Sequence, residues 1–431
     1  MANTYLTRTF GSAGNRQSWT WSAWIKKTKV FNNTSSSDRM VWFGGYSASN
    51  DTDWLEFGTQ GDVFYFTTNA TSNTGNRQMR DPSAWFHAHV TYDGSNLKFY
   101  HNNVLDFNNT QLSGNRGINQ ASVHTIGCMP KNAGTLRFMD GIMSHVHFVD
   151  GSVLAPSVFG QTDATTGEWE INTNPSYTPG TNGFFVLKDT NSGTDQSANT
   201  NNFTVGGGTL TKTEDSPSNV FAVMNPLAFQ GAGSIVLSNG ATTSTNSSST
   251  HRSMFSTLAM SSGKFYFEGK SVSTGAAYPT FGIYDSDAHV PAASYFTTNA
   301  NGYGYNSNGV IFHNNGSLVS GLSTWTDGDI IGVALDATND KIYFSKNGVW
   351  QNSGDPSNNT GGTTITSGKT WYFAAHSKDG GTDPVQNYNF GNGYFGTTAV
   401  SSAGTNASGI GKFEYDVPTG FTALSTKGLN L

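Results

Sequence analysis

The segment from Trp325 to Trp350 indicates the fold most clearly, and it reads W-T-D-G-D-I-I-G-V-A-L-D-A-T-N-D-K-I-Y-F-S-K-N-G-V-W. Apolar residues alternate with small or polar ones along two segments, at Ile331, Val333 and Leu335 and again at Ile342 and Phe344. A period of two indicates half-buried strands. Turn residues separate the segments, and Asn347-Gly348 is a strong hairpin signal because both residues tolerate positive φ. The stretch therefore predicts antiparallel β structure.

The same residues resemble the central motif of SPRY domains. The motif has a strand opening in Gly-Asp, a Gly-Val-x-Leu-Asp strand and a strand ending in Asn-Gly. Other pieces follow the SPRY order, namely Gly263–Gly269 (G-K-F-Y-F-E-G), Phe281–Ile283, Tyr303–Tyr305, Trp371–Ala375 and Asn389–Gly391. The resemblance implies a concanavalin-like β-sandwich that binds partners through loops at one end. We expect it to occupy residues 227–431, with a clasp at its C-terminal end.

The first part of the chain also alternates, as in W-F-H-A-H-V-T-Y (Trp85–Tyr92) and G-I-M-S-H-V-H-F-V (Gly141–Val149). With the early S-A-W-I (Ser22–Ile25), these segments resemble a laminin-G-like domain over roughly residues 1–160. The resemblance implies a second concanavalin A-like, lectin-type sandwich. We place it at residues 1–190, and an irregular connector at 191–226. The predicted fold class is all-β, with two antiparallel concanavalin-like sandwiches (jelly rolls) joined by that connector.

A short apolar pattern occurs twice. P-S-N-V-F-A-V-M-N begins at Pro217, and P-T-G-F-T-A-L-S begins at Pro418. Each places a proline before an aromatic and an aliphatic residue. Either each segment is a clasp that docks a chain end onto a sandwich, or the two are unrelated apolar tails.

Composition narrows the function. Of 431 residues only 12% are charged, whereas 13% are aromatic, and the net charge is −6. Disordered chains are poor in aromatics and rich in charge, and nucleic-acid binders cluster Lys and Arg, so we expect neither. Cys128 is the only cysteine, no apolar run approaches the roughly 18 residues of a membrane helix, and the N-terminus lacks an apolar signal core. We therefore expect no membrane insertion and no intrachain disulfide.

One acidic motif is a candidate for catalysis. Asp51, Asp53 and Glu56 have spacing similar to that of the acids of concanavalin-fold glucanases. A retaining glycosidase needs two carboxyl groups about 5 Å apart. The alternative is a solvated turn followed by the start of a strand, which we favour.

Metal sites are the next candidates. The pairs His87/His89 and His145/His147 each share one strand face and could ligate a metal, or they are polar residues on the face opposite the core. Laminin-G-like domains often hold calcium through acidic loop residues, which implies Asp93, Asp140 and Asp150. Each of these precedes a glycine, and Asp-Gly is also a frequent turn dipeptide. No cofactor other than this calcium is predicted.

Aromatic residues near turns are the candidates for ligand binding, because they supply flat contact area at low entropic cost. The predicted contact residues are Tyr46, Trp54, Tyr295, Tyr305, His313, Asn347 and Trp350. For each aromatic the alternative is packing in the core.

The whole chain resembles tail-fibre and related virion proteins of marine bacteriophages. The resemblance lies in the two domains in series and in two segments, Asp215–Leu227 (D-S-P-S-N-V-F-A-V-M-N-P-L) and Val417–Thr426. This implies a non-enzymatic virion surface protein, assembled in the host cytoplasm and released by lysis, that recognises a host-surface glycan or receptor. We expect a homo-oligomer bound to other virion proteins. The chain shows no N-terminal anchor or heptad region, which leaves open a capsid decoration or structural subunit. A glycoside hydrolase is the second alternative.

Overall fold

The computed structural model describes residues 3–31, 35–47, 53–68, 71–110, 117–131, 136–188, 192–228, 234–273, 278–288, 294–378 and 380–431. Contacts divide the chain into two compact units, Met1–Lys212 and Thr213–Leu431. Both consist of predominantly antiparallel sheets, which confirms the predicted all-β class. The helices among these residues are 3₁₀ turns at Ser36–Asp38, Pro156–Val158, Pro356–Asn358 and Gly428–Asn430. None of the helices in the described ranges is long and apolar enough to span a membrane.

The first unit contains fifteen strands among the described residues: β1 Tyr5–Thr9, β2 Trp19–Lys27, β3 Arg39–Tyr46, β4 Trp54–Gln60, β5 Val63–Thr68, β6 Ser72–Gln78, β7 Trp85–Tyr92, β8 Leu97–His101, β9 Val104–Asn109, β10 Val123–Ile126, β11 Gly141–Asp150, β12 Gly160–Thr162, β13 Trp169–Ile171, β14 Phe184–Val186 and β15 Thr204–Gly207. They form sheets ordered β15-β1-β10-β3-β4-β5-β6 and β14-β11-β2-β7-β8-β9, with β12 and β13 as a separate pair. Buried side chains of both large sheets form one core. Trp21 lies at its centre, stacked on Trp42 at 6.2 Å.

The second unit contains strands β16 Ile235–Ser238, β17 Thr243–Asn246, β18 Arg252–Met260, β19 Lys264–Ser273, β20 Thr280–Asp285, β21 Gly302–Asn306, β22 Val310–His313, β23 Gly316–Val319, β24 Ile330–Asp336, β25 Lys341–Lys346, β26 Val349–Trp350, β27 Thr363–Thr364, β28 Trp371–Ser377, β29 Val385–Asn389, β30 Tyr394–Phe395, β31 Thr398–Ala399 and β32 Thr422–Ala423. One sheet is ordered β16-β17-β29-β19-β24-β25-β26, with β27 on β25 and β32 on β19. The other is ordered β18-β28-β20-β21-β22-β23. Their facing side chains form a second core.

The opening stretch folds as its alternation predicts. Ile331, Val333 and Leu335 of β24 are fully buried. The next strand ends in a hairpin turn in which Asn347 and Gly348 have φ of 48° and 80°. The turn thus uses the positive φ that this dipeptide favours.

Residues 191–226, expected as a connector, contribute to both units. In the first, β15 pairs with β1, and Phe203 is buried in the core. In the second, Ala222 and Met224 enter the core. Apolar side chains therefore fix much of this segment onto the sandwiches.

The two apolar segments that the sequence pairs are neighbours in the second unit. The Ala222 amide donates to the Leu424 carbonyl at 2.9 Å, and Phe221 bridges to Ser425. β32 in turn pairs with β19. Both segments therefore pack on the second sandwich, where Phe221 and Phe421 are buried together on the outer face of the sheet that contains β19.

Candidate functional site

Strand pairing defines two ends of the second sandwich. The last residues of β19, β21, β25 and β28, Ser273, Asn306, Lys346 and Ser377, all lie at one end, with the turn at Asn347. We call this the hairpin end. β20 ends and β21 begins at the opposite end. Loops at the same end can contribute to one surface, whereas loops at opposite ends cannot.

The predicted contact residues of this unit do not form one cluster. His313 lies at the opposite end, stacked on Tyr303 at 4.0 Å with its Nδ1 against the Gly302 carbonyl. Tyr305 was predicted wrongly as a contact residue, because its ring is fully buried in the core beside Trp325. Tyr295 and Asn347 are at the hairpin end, but with different neighbours.

The side chain of Asn347 is committed to the fold. Its Oδ1 accepts from the Ile330 amide at 2.9 Å, and its Nδ2 donates to Asp329 at 2.7 Å. Trp350 follows in β26 and meets Tyr266 edge-on at 6.3 Å. Both residues brace the hairpin.

Tyr295 instead belongs to a tyrosine–histidine cluster, which we define as His251, Tyr278, Tyr295 and His376. The Tyr295 ring stacks on His376 at 3.9 Å and lies 4.1 Å from His251. The two imidazoles are joined by a 3.0 Å contact between His251 Nδ1 and His376 Nε2, in which one ring donates and the other accepts. His376 Nδ1 lies beside the main chain of Tyr278 but makes no hydrogen bond of good geometry within the described residues.

The four residues of the cluster differ in solvent exposure. His376 lies in β28 and is fully buried, His251 and Tyr295 are half-buried, and Tyr278 is 58% exposed. Burial lowers the pKa of His376 well below its usual value, and electrostatic interactions with His251 and Lys378 lower it further. Burial and then Lys378 lower the pKa of His251, and burial raises that of Tyr295. Both histidines are therefore neutral at pH 7.

This arrangement is suited to binding. It offers an exposed aromatic ring, ring edges held in place by stacking, and polar nitrogen and hydroxyl groups. Flat rings with a few fixed polar groups are typical of ligand sites. Tyr278, His251 and His376 were missed in the sequence, because the cluster joins segments that are far apart along the chain.

In the first sandwich, Tyr46 and Trp54 are cross-strand neighbours. Tyr46 is half-buried, whereas Trp54 is only 9% exposed. The prediction of Trp54 as an exposed contact residue was therefore wrong, since the ring is covered by the surrounding fold.

The described residues of the acidic motif, Asp53 and Glu56, give no accessible catalytic pair. Asp51 lies outside the described residues. Asp53 pairs with Arg16 at 2.6 Å, whereas Glu56 is fully buried and is bound by Arg137 and the Tyr65 hydroxyl. Burial raises the pKa of Glu56, and Arg137 opposes that rise. A sugar ring has no access to this carboxyl group in the fold described.

The predicted calcium ligands are not brought together. Asp140 and Asp150 flank β11 at opposite ends, about 30 Å apart at the rise of an extended strand. Asp93 closes its own turn by accepting from Ser95 and Asn96. Asp150 Oδ1 accepts from the Asn15 amide and from Asn119, and its Oδ2 accepts from the Asn182 amide. Those N–H donors occupy the positions that a cation needs.

His87, His89 and His147 lie under residues 152–179 on the outer face of their sheet, whereas His145 contacts Ser144 and Phe185. His87 contacts Ser22 at 2.7 Å and accepts from Trp169, and His89 contacts the Leu154 carbonyl at 3.0 Å. His147 Nδ1 contacts the Tyr177 hydroxyl at 2.6 Å. Across the described ranges, no three His, Cys, Asp or Glu side chains are placed to hold a metal.

The structure predicts that Asp150 is a structural acceptor and binds no calcium. Asp150→Asn is expected to lower the free energy of unfolding of the first sandwich by about 2 kcal/mol, because the new NH₂ group faces N–H donors. Asp93→Asn is the matched control, and should cost less than about 0.5 kcal/mol at its exposed turn. Thermal unfolding of both variants and of the native protein, with millimolar calcium or with chelator, measures this. A calcium-dependent rise in the native midpoint that Asp150→Asn abolishes contradicts it.

Comparison with known proteins agrees with this geometry. Residues 2–159 match the family model described as the concanavalin A-like lectin/glucanases superfamily, and residues 264–359 match the SPRY domain. The chain carries a concanavalin-like domain and a SPRY domain. Tyr278 and Tyr295 lie within the SPRY match, whereas His251 and His376 flank it. Domains of these two kinds are typically non-catalytic binding modules.

Solved structures similar to the chain include the SPRY domain of human HERC1, at 18% identity and a TM-score of 0.30, covering 38% of this chain and 96% of that one. The TRIM65 PSpry domain is 10% identical with a TM-score of 0.27, and covers 39% and 88%. A human SPRY domain is 16% identical with a TM-score of 0.27, and covers 37% and 96%. No curated protein matches the chain.

Proposed function

We propose that the protein is a non-enzymatic surface component of a bacteriophage virion, in a tail fibre or related appendage, and that it recognises a glycan or receptor on the host surface. The observation that carries the proposal is the tyrosine–histidine cluster. Tyr278 presents a ring that is 58% exposed beside rings held by stacking. An aromatic side chain of this kind contributes binding area without the ordering cost of a long flexible chain.

The remaining parts of the proposal rest on the composition and on the resemblance to virion proteins. With only 12% charged residues, the surface meets a polyol with little desolvation of charge. In this proposal the chain is a homo-oligomer that contacts other virion proteins. The burial of Glu56 favours recognition over hydrolysis.

The test is binding of the fluorescently labelled protein to whole bacteria from a panel of marine strains. We expect saturable binding to at least one strain, competed by the surface polysaccharide of that strain. Tyr278→Ala is expected to weaken binding by about 10-fold or more, which is the effect of losing a central aromatic contact. Leu318→Ala, at an exposed apolar residue of the edge strand β23, is the control and should bind as the native protein does.

Two outcomes contradict the proposal. The first is an absence of binding to every strain at micromolar protein. The second is binding that Tyr278→Ala and Leu318→Ala leave equally unchanged, because the contact then lies elsewhere on the molecule.

A further inference from the structure

We propose that the tyrosine–histidine cluster takes an acidic sugar, a hexuronate unit of a surface polysaccharide, with Lys378 binding its carboxylate. The inference rests on the proposed function and names the ligand class of the same site. It goes against the net charge of −6, which by itself disfavours an anionic ligand. The local charge at the cluster has the opposite sign.

The first step concerns the platform. Tyr295 packs against His251 at 4.1 Å and against His376 at 3.9 Å, and these two imidazoles lie 5.0 Å apart, so the three rings are fixed before any ligand arrives. Tyr278 stands beside them and is largely exposed. A pyranose presents an apolar C–H face that fits such rings and hydroxyl groups at its edge that fit the imidazole and phenol groups. Binding then requires little ordering of the protein.

The second step concerns charge. Lys378 follows directly on β28, two residues after His376, and its ammonium is close enough to lower the pKa of both His251 and His376. Among the described residues, no carboxylate acts on either histidine. Four other lysines of this unit, Lys264, Lys346, Lys369 and Lys412, pair with Asp336, Asp329, Asp285 and Glu214. Lys378 has no carboxylate partner within the described ranges. It is therefore free to form a charge-assisted hydrogen bond with a ligand.

The third step concerns the edge of the sheet. The cluster adjoins β18, which is the edge strand of its sheet. From Phe255 onward that edge is already covered, since the Asn225 amide donates to the Phe255 carbonyl and the Thr257 amide donates to the Val223 carbonyl, both at 2.8 Å. A peptide cannot extend the sheet along this part of the edge.

The experiment compares two polymers that differ only at the carboxyl group, polygalacturonate and the same polymer after carboxyl reduction. Their binding to the 431-residue chain is measured by titration calorimetry. We expect the native protein to prefer the acidic polymer by about 10-fold or more, with a preference that falls as salt rises. Lys378→Gln should remove both the preference and its salt dependence. Tyr278→Ala should weaken binding of both polymers.

Lys427→Gln is the matched control, because Lys427 is exposed but lies beside Asn219, in the segment that packs on the other sheet. It should keep the native preference. Equal binding of the two polymers, or binding of neither, overturns the acidic-sugar proposal, as does a preference that survives Lys378→Gln. Cell binding by the native protein is measured in parallel, and it decides the proposed recognition function separately from the ligand class.

Discussion

The first sandwich is expected to lose most of its stability as the pH falls from 6.5 to 4. Four histidines are buried, each with no more than 2% of its surface exposed: His87, His89, His124 and His147. Burial lowers the pKa of His89 and His124 to about 4, and lowers that of His87 and His147 well below the usual value. The unfolded chain binds these protons at pH 6.5, whereas the fold resists them.

The sign of the effect follows from this difference. A histidine with a lowered pKa contributes its full stability above pH 6.5, and the contribution is lost as the pH falls toward the folded value. A change from 6.5 to about 4 corresponds to roughly 3 kcal/mol for each histidine. Glu56 and Asp140, whose pKa values burial raises, act in the opposite direction. The loss from two such histidines is already comparable to the lower end of a typical free energy of unfolding, which is about 5–15 kcal/mol.

Hydrogen exchange read by mass spectrometry locates the loss within the intact chain. We expect β2, β7 and β11 to become exchangeable as the pH approaches 4. His89→Gln keeps a side-chain donor for the Leu154 carbonyl but cannot titrate, so it should shift the midpoint of the transition to lower pH. His313→Gln, in the other sandwich, is the control and should leave that midpoint unchanged. Full protection of these strands at pH 4 would show that protonation of the buried histidines does not destabilise the first sandwich.

The same histidines show which features of the fold the sequence pattern predicts and which it does not. Alternation predicts that His87 and His89 share the face opposite Ala88 and Val90, and they do. Alternation does not reveal that residues 152–179 cover that face. Their position depends on contacts such as that of His147 with Tyr177, 30 positions away. A polar outer face and a buried histidine layer have the same local pattern.

Tyr305 and Asn347 illustrate the same division. The strand at Tyr303–Tyr305 is evident from its alternation, but a period of two does not say which face is inward. The Asn-Gly turn is predicted from local backbone preference, whereas the bond from the Ile330 amide to Asn347 depends on the pairing of β24 with β25. The tyrosine–histidine cluster is the extreme case, because its residues at 251, 278, 295 and 376 adjoin only when the sheet is assembled.

Replacing Glu268 by glutamine is expected to lower the free energy of unfolding of the second sandwich by about 3 kcal/mol. The carboxylate is fully buried in β19. Its Oε1 accepts from the Tyr415 amide and the Tyr266 hydroxyl, and its Oε2 accepts from the Glu414 amide and Asn389 Nδ2. Each oxygen therefore faces a main-chain N–H. Whichever way the glutamine amide turns, its NH₂ group meets a buried donor that has lost its acceptor.

The loss of stability should extend to the hairpin at Asn347 and Gly348, which connects β25 and β26. Phe413 packs edge-on against Tyr266 at 5.0 Å, and Tyr266 also contacts Trp350 of β26. The segment at Phe413–Tyr415, which Glu268 binds, therefore supports β26 through the Tyr266 ring. We expect faster amide exchange at Glu414 and Tyr415 and then at the hairpin, together with a lower denaturation midpoint.

Glu214→Gln makes the same chemical change at a partly exposed pair with Lys412, where less than about 1 kcal/mol is at stake. If Glu268→Gln costs no more than that control, aromatic packing alone holds the C-terminal segment, and the four donors around Glu268 contribute no net stability.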